Sequence, residues 1–387
     1  MTKRRPSVGR CAGVQGAAVG ILGAGRWALG SLLAAPFLAG CGALGDFADE
    51  PLSGGPVLGA AGAAGAAGSG GAAGVAGAAG SGGAAGAAGD AGGAPVDYSL
   101  VEPVQRSNLW VWELGPVRFT VEPQLGARLV SLTYHGAEML LTADAVAGTG
   151  NANNYGSTFW PSPQASWGWP PVPAFDSLPY TPDEALSPVM SATSGEGALK
   201  SGATLTLRKD FVPVPARGAL DTRYRIHNTG EDGVTVAPWQ ITRVRGGGLT
   251  FFELGEAGID RDNLALDVRD GVAWLAYDTT PAPSGAKSFV DATGWVAHVA
   301  EGLLLLQSFQ DLAPGEAATG EAELELYANP ERTYLEIEPQ GRVETLASDA
   351  ESKLWSVRWI LRPLPAGMKV EAGSAELLAL VREVLRE

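Results

Sequence analysis

Between residues 97 and 387 the apolar residues recur with a period of two. Val117-Arg118-Phe119-Thr120-Val121 alternates. So does Arg128-Leu129-Val130-Ser131-Leu132-Thr133-Tyr134, which turns at His135-Gly136 and continues into Met139-Leu140-Leu141. Such alternation over about four to eight residues marks a strand with one buried face. The same signal occurs at Ala203–Lys209, Asp221–His227, Gly233–Pro238, Leu249–Phe252, Val272–Tyr277, Trp295–Val299, Leu303–Phe309, Glu321–Tyr327, Thr333–Glu338 and Lys353–Leu361. Turn residues separate these runs, at Asn228–Gly233, Arg269-Asp270-Gly271 and Ala313-Pro314-Gly315. One segment has a helical period instead. Leu377, Leu378, Leu380, Val381, Val384 and Leu385 share a face, with Ser374 placed to cap it. Strand follows strand without the helices that a parallel sheet needs, so the pattern predicts one all-β domain over 97–387. Its architecture is an antiparallel sandwich with a short C-terminal helix.

The first 96 residues follow other rules. Lys3, Arg4, Arg5 and Arg10 open the chain, and no acid precedes Asp46. The mostly apolar stretch Trp27–Leu38 is too short for a bilayer span of about 20 residues. It closes on Leu38-Ala39-Gly40-Cys41. That tetrapeptide resembles the lipobox of a bacterial lipoprotein signal peptide. The resemblance implies that residues 1–40 are removed before Cys41 and that Cys41 carries lipid. The protein would then sit in the bacterial cell envelope, on the outer membrane or the periplasmic face. Losing five basic residues and no acid takes the net charge from −15 to −20. Acyl chains, not charge, would hold such a protein to anionic lipid. The same acidity excludes a nucleic-acid binder driven by bulk charge. Only two cysteines are present, which excludes a disulfide framework and a four-cysteine zinc site.

Residues 41–96 carry the glycine excess: 17 of the 54 glycines lie between Gly54 and Gly93. From Gly59 to Gly92 a glycine falls at every third place, as a collagen triple helix requires. No proline stands between Pro56 and Pro95 to favour that conformation, and the spacers are almost all Ala or Ser. The reading is a disordered tether.

Within the folded part, residues 151–188 break the strand rhythm. They hold Tyr155, Trp160, Trp167, Trp169, Tyr180 and eight prolines. A long aromatic loop in a β-domain either contributes to a ligand site or plugs one end of the sandwich.

Three tracts carry a family resemblance. They are Gly156-Ser-Thr-Phe-Trp-Pro-Ser-Pro-Gln164 with Trp167-Gly-Trp-Pro-Pro171, Ala237-Pro-Trp-Gln-Ile-Thr-Arg-Val244 with Gly248-Leu-Thr-Phe-Phe252, and Tyr334-Leu-Glu-Ile-Glu-Pro-Gln-Gly341 with Trp355-Ser-Val-Arg-Trp359. Together they resemble an uncharacterised bacterial family within the galactose mutarotase-like, or aldose 1-epimerase-like, superfamily. The resemblance implies a β-supersandwich with a carbohydrate-sized groove on one sheet. In mutarotases a glutamate in a Leu-Glu-x-Gln strand is the base, and a histidine on a central strand is the acid. Ile337-Glu338-Pro339-Gln340 is similar to the first element and makes Glu338 the candidate base. Period-two alternation puts Glu336, Glu338 and Gln340 on one face, where Glu336 raises the pKa of Glu338 by like-charge proximity. The acid is missing: Val236-Ala-Pro-Trp-Gln-Ile, where it would stand, has no histidine. Of the three histidines, His227 either faces the pocket or ends a strand, and it is the remaining catalytic candidate. His135 reads as an exposed turn residue and His298 as structural.

That departure favours binding over catalysis. Tryptophan faces stack on the apolar face of a sugar ring, while amides, guanidinium groups and carboxylates fix its hydroxyls. Trp160, Gln164, Trp169, Trp239, Gln240, Arg243, Glu336 and Gln340 are the candidate binding residues. Trp355 and Trp359, four apart on one strand, read as core. The folded part shows no metal-ligand cluster and no nucleotide fingerprint, so the reading needs neither a metal nor another cofactor. The expectation is a lipid-anchored envelope protein whose monomeric domain binds a carbohydrate or polysaccharide. The alternatives are an aldose 1-epimerase-like or other sugar-modifying enzyme with Glu338 as base, and a structural envelope protein with a degenerate groove.

Overall fold

The computed structural model describes residues 96–148, 152–183 and 188–387. The expected signal peptide, Cys41 and all but the last residue of the expected tether lie outside the described residues. In chain order the principal strands are β1 (Leu100–Arg106), β2 (Leu109–Leu114), β3 (Val117–Glu122), β4 (Arg128–Tyr134), β5 (Ser157–Ser162) and β6 (Met190–Thr193). Next come β7 (Thr204–Val214), β8 (Ala219–Asn228), β9 (Val234–Arg245), β10 (Leu249–Arg261) and β11 (Val272–Ala276). The last are β12 (Ala286–Ala292), β13 (Trp295–Ala300), β14 (Leu303–Ser308), β15 (Leu324–Ala328), β16 (Tyr334–Pro339) and β17 (Trp355–Pro363).

These strands pair antiparallel in two series. One runs β1-β2-β3-β4-β5-β9-β16-β15-β12-β10. The other runs β6-β7-β8-β17-β14-β13-β10-β11. The long strand β10 belongs to both: its first residues pair with β13 and its later ones with β12. The domain is therefore the antiparallel all-β sandwich that the alternation predicted. Strict alternation survives in β7, where every second residue from Leu205 to Pro213 is buried. The inward-facing side chains of both series, among them Phe119, Leu207, Ile226, Leu305, Val357 and Trp359, form one core.

The C-terminal helix spans Ala375–Arg386. Ser374 accepts the Leu377 amide at 3.3 Å, satisfying a first-turn donor that has no helical partner. Leu377, Val381 and Val384 are its buried residues, at the spacing of one helix face. Asn228 holds its turn as its side-chain type predicts: its Oδ1 accepts the Gly230 amide at 3.1 Å.

Residues 152–183 are more regular than a loop. They contain β5, buried throughout, which pairs residue for residue with β9 from Ser157–Thr242 to Ser162–Ala237. Prolines 161 and 163 hide this strand in the sequence, because proline cannot donate to a sheet ladder. Gly156 leads into β5 at φ +62°, and a side chain there would run into the Leu129 carbonyl. After β5 come a short turn at Gln164–Ser166 and one helical turn at Pro173–Asp176.

Candidate functional site

Strand register brings the candidate residues together. Trp239 on β9 lies opposite Trp160 on β5 and bridges to Gln340 beyond β16. Arg243 lies opposite Glu336, and Glu338 opposite Glu325 on β15. One strand further, Lys287 on β12 lies opposite Tyr327. Alternation keeps all of these on the same side of the first series, away from the core between the two series.

Two ion clusters occupy this face. Lys287 Nζ sits 2.6 Å from Glu325 Oε2 and 2.9 Å from Glu338 Oε2, over the ring of Trp239 at 4.9 Å. Gln340 Nε2 donates to the other oxygen of Glu325 at 2.7 Å. Burial pushes the Glu338 carboxyl up to about 7 against the pull of Lys287, and Glu336 adds to the rise. Burial likewise holds Glu325 well above the ordinary carboxylate range, with Lys287 opposing. Burial works against the Lys287 ammonium too, but the two carboxylates outweigh it and keep the proton on the amine. In the second cluster Arg243 Nε donates to Glu336 Oε1 at 2.6 Å, and its guanidinium stands 5.5 Å from the Trp160 ring centroid.

The tryptophans form a chain of ring contacts. Trp160 meets Trp239 edge-on at 5.6 Å and Trp167 at 5.5 Å. Asp176, from the loop's helical turn, accepts Trp160 Nε1 at 3.1 Å and pairs with the buried Arg128 at 2.8 Å. That is how the loop is tied down over the face.

Several polar atoms here are buried and have no hydrogen-bond partner among the described residues. They are both terminal nitrogens of Arg243, Trp239 Nε1, Glu338 Oε1, Gln340 Oε1, Thr158 Oγ1 and Ser162 Oγ. Leaving a buried polar atom unpaired costs about 1–3 kcal/mol, so a cluster of donors and acceptors marks a place built for water or a ligand.

Not every candidate from the sequence joins this face. Gln240 points the other way, into the core. Its Oε1 accepts from Tyr224 OH at 2.7 Å and Thr222 Oγ1 at 3.2 Å, and its amide donates to Thr242. Its odd offset from Trp239 and Arg243 on one strand dictates this. His227 on β8 pairs its Nε2 with Asp349 Oδ1 at 3.0 Å and bridges to Glu351. His135 lies in an exposed turn. His298 is buried against Thr250 at 2.9 Å, and burial pushes its imidazole down to about 4. No histidine therefore stands beside Glu338. Gln164 lies in the loop turn, and its backbone amide donates to Glu321 at 2.8 Å. Trp169 is half exposed at the rim.

Lys287, Glu325, Arg128 and Asp176 are site residues that the sequence reading missed. Glu325 had a signal, as a charged residue between Leu324 and Leu326 in a buried strand. Lys287 has a weaker one, because apolar Phe289 and Val290 are adjacent in β12 and break its alternation. Among the described residues no group of histidine, cysteine and acidic side chains is arranged to hold a metal ion.

No family model matches the chain, and no curated protein does. Solved structures do. One is a TPR-domain-containing protein from Parabacteroides distasonis, at 16% identity and TM-score 0.47, covering 68% of this chain and 49% of that one. This chain thus spans about half the length of that protein. Another is a galactose mutarotase-like protein from Lactobacillus casei, at 12% identity and TM-score 0.45, covering 68% of this chain and 100% of that one. A third is a galactose mutarotase-related enzyme from Lactobacillus acidophilus, at 7% identity and TM-score 0.45, covering 70% and 100%. These are likenesses of fold, and the activities named belong to those proteins.

Proposed function

We propose that residues 97–387 form a carbohydrate-binding domain, carried at the bacterial cell envelope by lipid on Cys41. The observation that supports the domain's role is the set of unpartnered buried atoms on the β5-β9-β16 face. Arg243 and Trp239 offer donors, and Glu338 and Gln340 offer acceptors, beside aromatic rings. A ligand rich in hydroxyl groups meets both kinds at once, since each hydroxyl donates and accepts. Binding is favoured over epimerisation. Glu338 has the raised pKa of a candidate base, but one of its oxygens is held by Lys287. Lys287 in turn is kept charged between two carboxylates, which makes it a poor acid, and no histidine stands in for it.

A glycan array probed with the wild type and with Trp239→Phe tests the reading. The variant keeps an apolar ring but loses the unpaired indole N–H, and its signal should drop by about tenfold, or about 1.4 kcal/mol. Silence from the wild type would point to the structural alternative. Polarimetry of freshly dissolved glucose and galactose separates the enzyme alternative: acceleration that disappears in Glu338→Gln would replace binding with catalysis. For the anchor, Cys41→Ala should abolish partition into a detergent phase, and persistence there would remove the lipid reading.

A further inference from the structure

Trp169 differs from the tryptophans around it. Trp160, Trp167 and Trp239 are buried, whereas Trp169 is 50% exposed. Single exposed apolar residues are ordinary on protein surfaces. This one is not isolated. Its ring meets Trp160 edge-on at 6.4 Å, so it extends to the surface the same chain of rings that starts at Trp239. It therefore adjoins the face whose donors and acceptors lack partners.

The turn that presents Trp169 is braced. Gly168, at φ +82°, donates its amide to the Gln164 carbonyl at 2.7 Å. Lys200 reaches across with two bonds, from its backbone amide to the Ser166 carbonyl at 2.8 Å and from Nζ to the Ala165 carbonyl at 3.3 Å. Pro170 and Pro171 follow at once. An aromatic platform held in this way loses little freedom when a ligand stacks on it, which lowers the cost of binding.

We propose that Trp169 is an outer stacking subsite and that the ligand is a sugar chain of two or more units rather than a free monosaccharide. This rests on the carbohydrate reading above. The inner unit meets Arg243, Glu338 and Gln340, and the next unit lies on the exposed ring of Trp169.

Calorimetric titration of the full-length protein tests this. The probes are glucose, galactose and N-acetylglucosamine, each also as its β-1,4-linked dimer and tetramer. In whichever series binds, the tetramer should bind the wild type about tenfold more tightly than the monomer. Trp169→Ala should lower the tetramer's affinity to the monomer's level, and Trp169→Phe should restore most of it. A wild type that binds monomer and tetramer equally, or a Trp169→Ala protein that keeps the tetramer's full affinity, overturns the subsite and leaves the carbohydrate reading standing. No binding of any sugar in any series overturns both.

Discussion

Gln240 and Gln340 are both fully buried glutamines at the centre of the same sheet, and they live in opposite circumstances. Gln240 faces the core. Its amide joins Thr222, Tyr224, Thr242, Gln307 and Trp359 in a network in which only Gln307 Oε1 lacks a partner. Gln340 faces the other way, where its own Oε1, Glu338 Oε1, Trp239 Nε1 and the ends of Arg243 are unpaired. Apart from Gln307 Oε1, the network around Gln240 is satisfied within the protein. The other side is stabilised by ion pairs but keeps buried groups that nothing among the described residues satisfies. Burial and polarity are alike on the two sides, so neither identifies a site. The difference lies in where the hydrogen bonds end.

Three measurements would break or sharpen that contrast. The largest effect belongs to the core side. Trp359→Ala removes a fully buried ring and the partner of Thr222, and should cost about 3–5 kcal/mol in urea denaturation. A cost below about 1 kcal/mol would show that the network is not part of a tightly packed core. The next effect compares the two glutamines directly. Gln240→Leu strands Tyr224 OH and should cost about 1–3 kcal/mol. Gln340→Leu removes an acceptor that is already unpaired and leaves Glu325 Oε1 the Ala322 amide at 3.0 Å, so its cost should be clearly smaller. Equal costs would erase the distinction.

The last effect is one of pH. The folded-state pKa of Glu338 is raised to about 7, so its contribution to stability is fully present below the ordinary carboxylate value and is lost as pH rises through about 7. Glu338→Gln cannot ionise. The stability of the variant relative to wild type should therefore grow between pH 5 and 8, measured as thermal midpoints at fixed ionic strength. A difference that stays flat, or that moves in favour of the wild type, would mean that Lys287 compensates the buried charge completely.

Much of the site was legible beforehand, for a simple reason. Glu336, Glu338 and Gln340 share a face because alternation requires it, and the aromatic tract at 155–169 did fall beside them. The same rule, applied to β9, separates Gln240 from Trp239 and Arg243, so that misplacement was avoidable. His227 was a different case. Its neighbours Asp349 and Glu351 come from more than a hundred residues away, and no local pattern announces them.

The sequence by itself determined where most of the strands run, which side of each of those is apolar, and where the helix caps, because these depend on near neighbours along the chain. Only the tertiary structure decided that Lys287 would lie between Glu325 and Glu338, that Asp176 would tie the loop to Trp160 and Arg128, and that Arg243 would keep two nitrogens unpaired. Those facts depend on which strands become neighbours and in what register. Strand pairing joins residues far apart in the chain, and a shift of one residue would have turned the strand-borne members of this set to the other face.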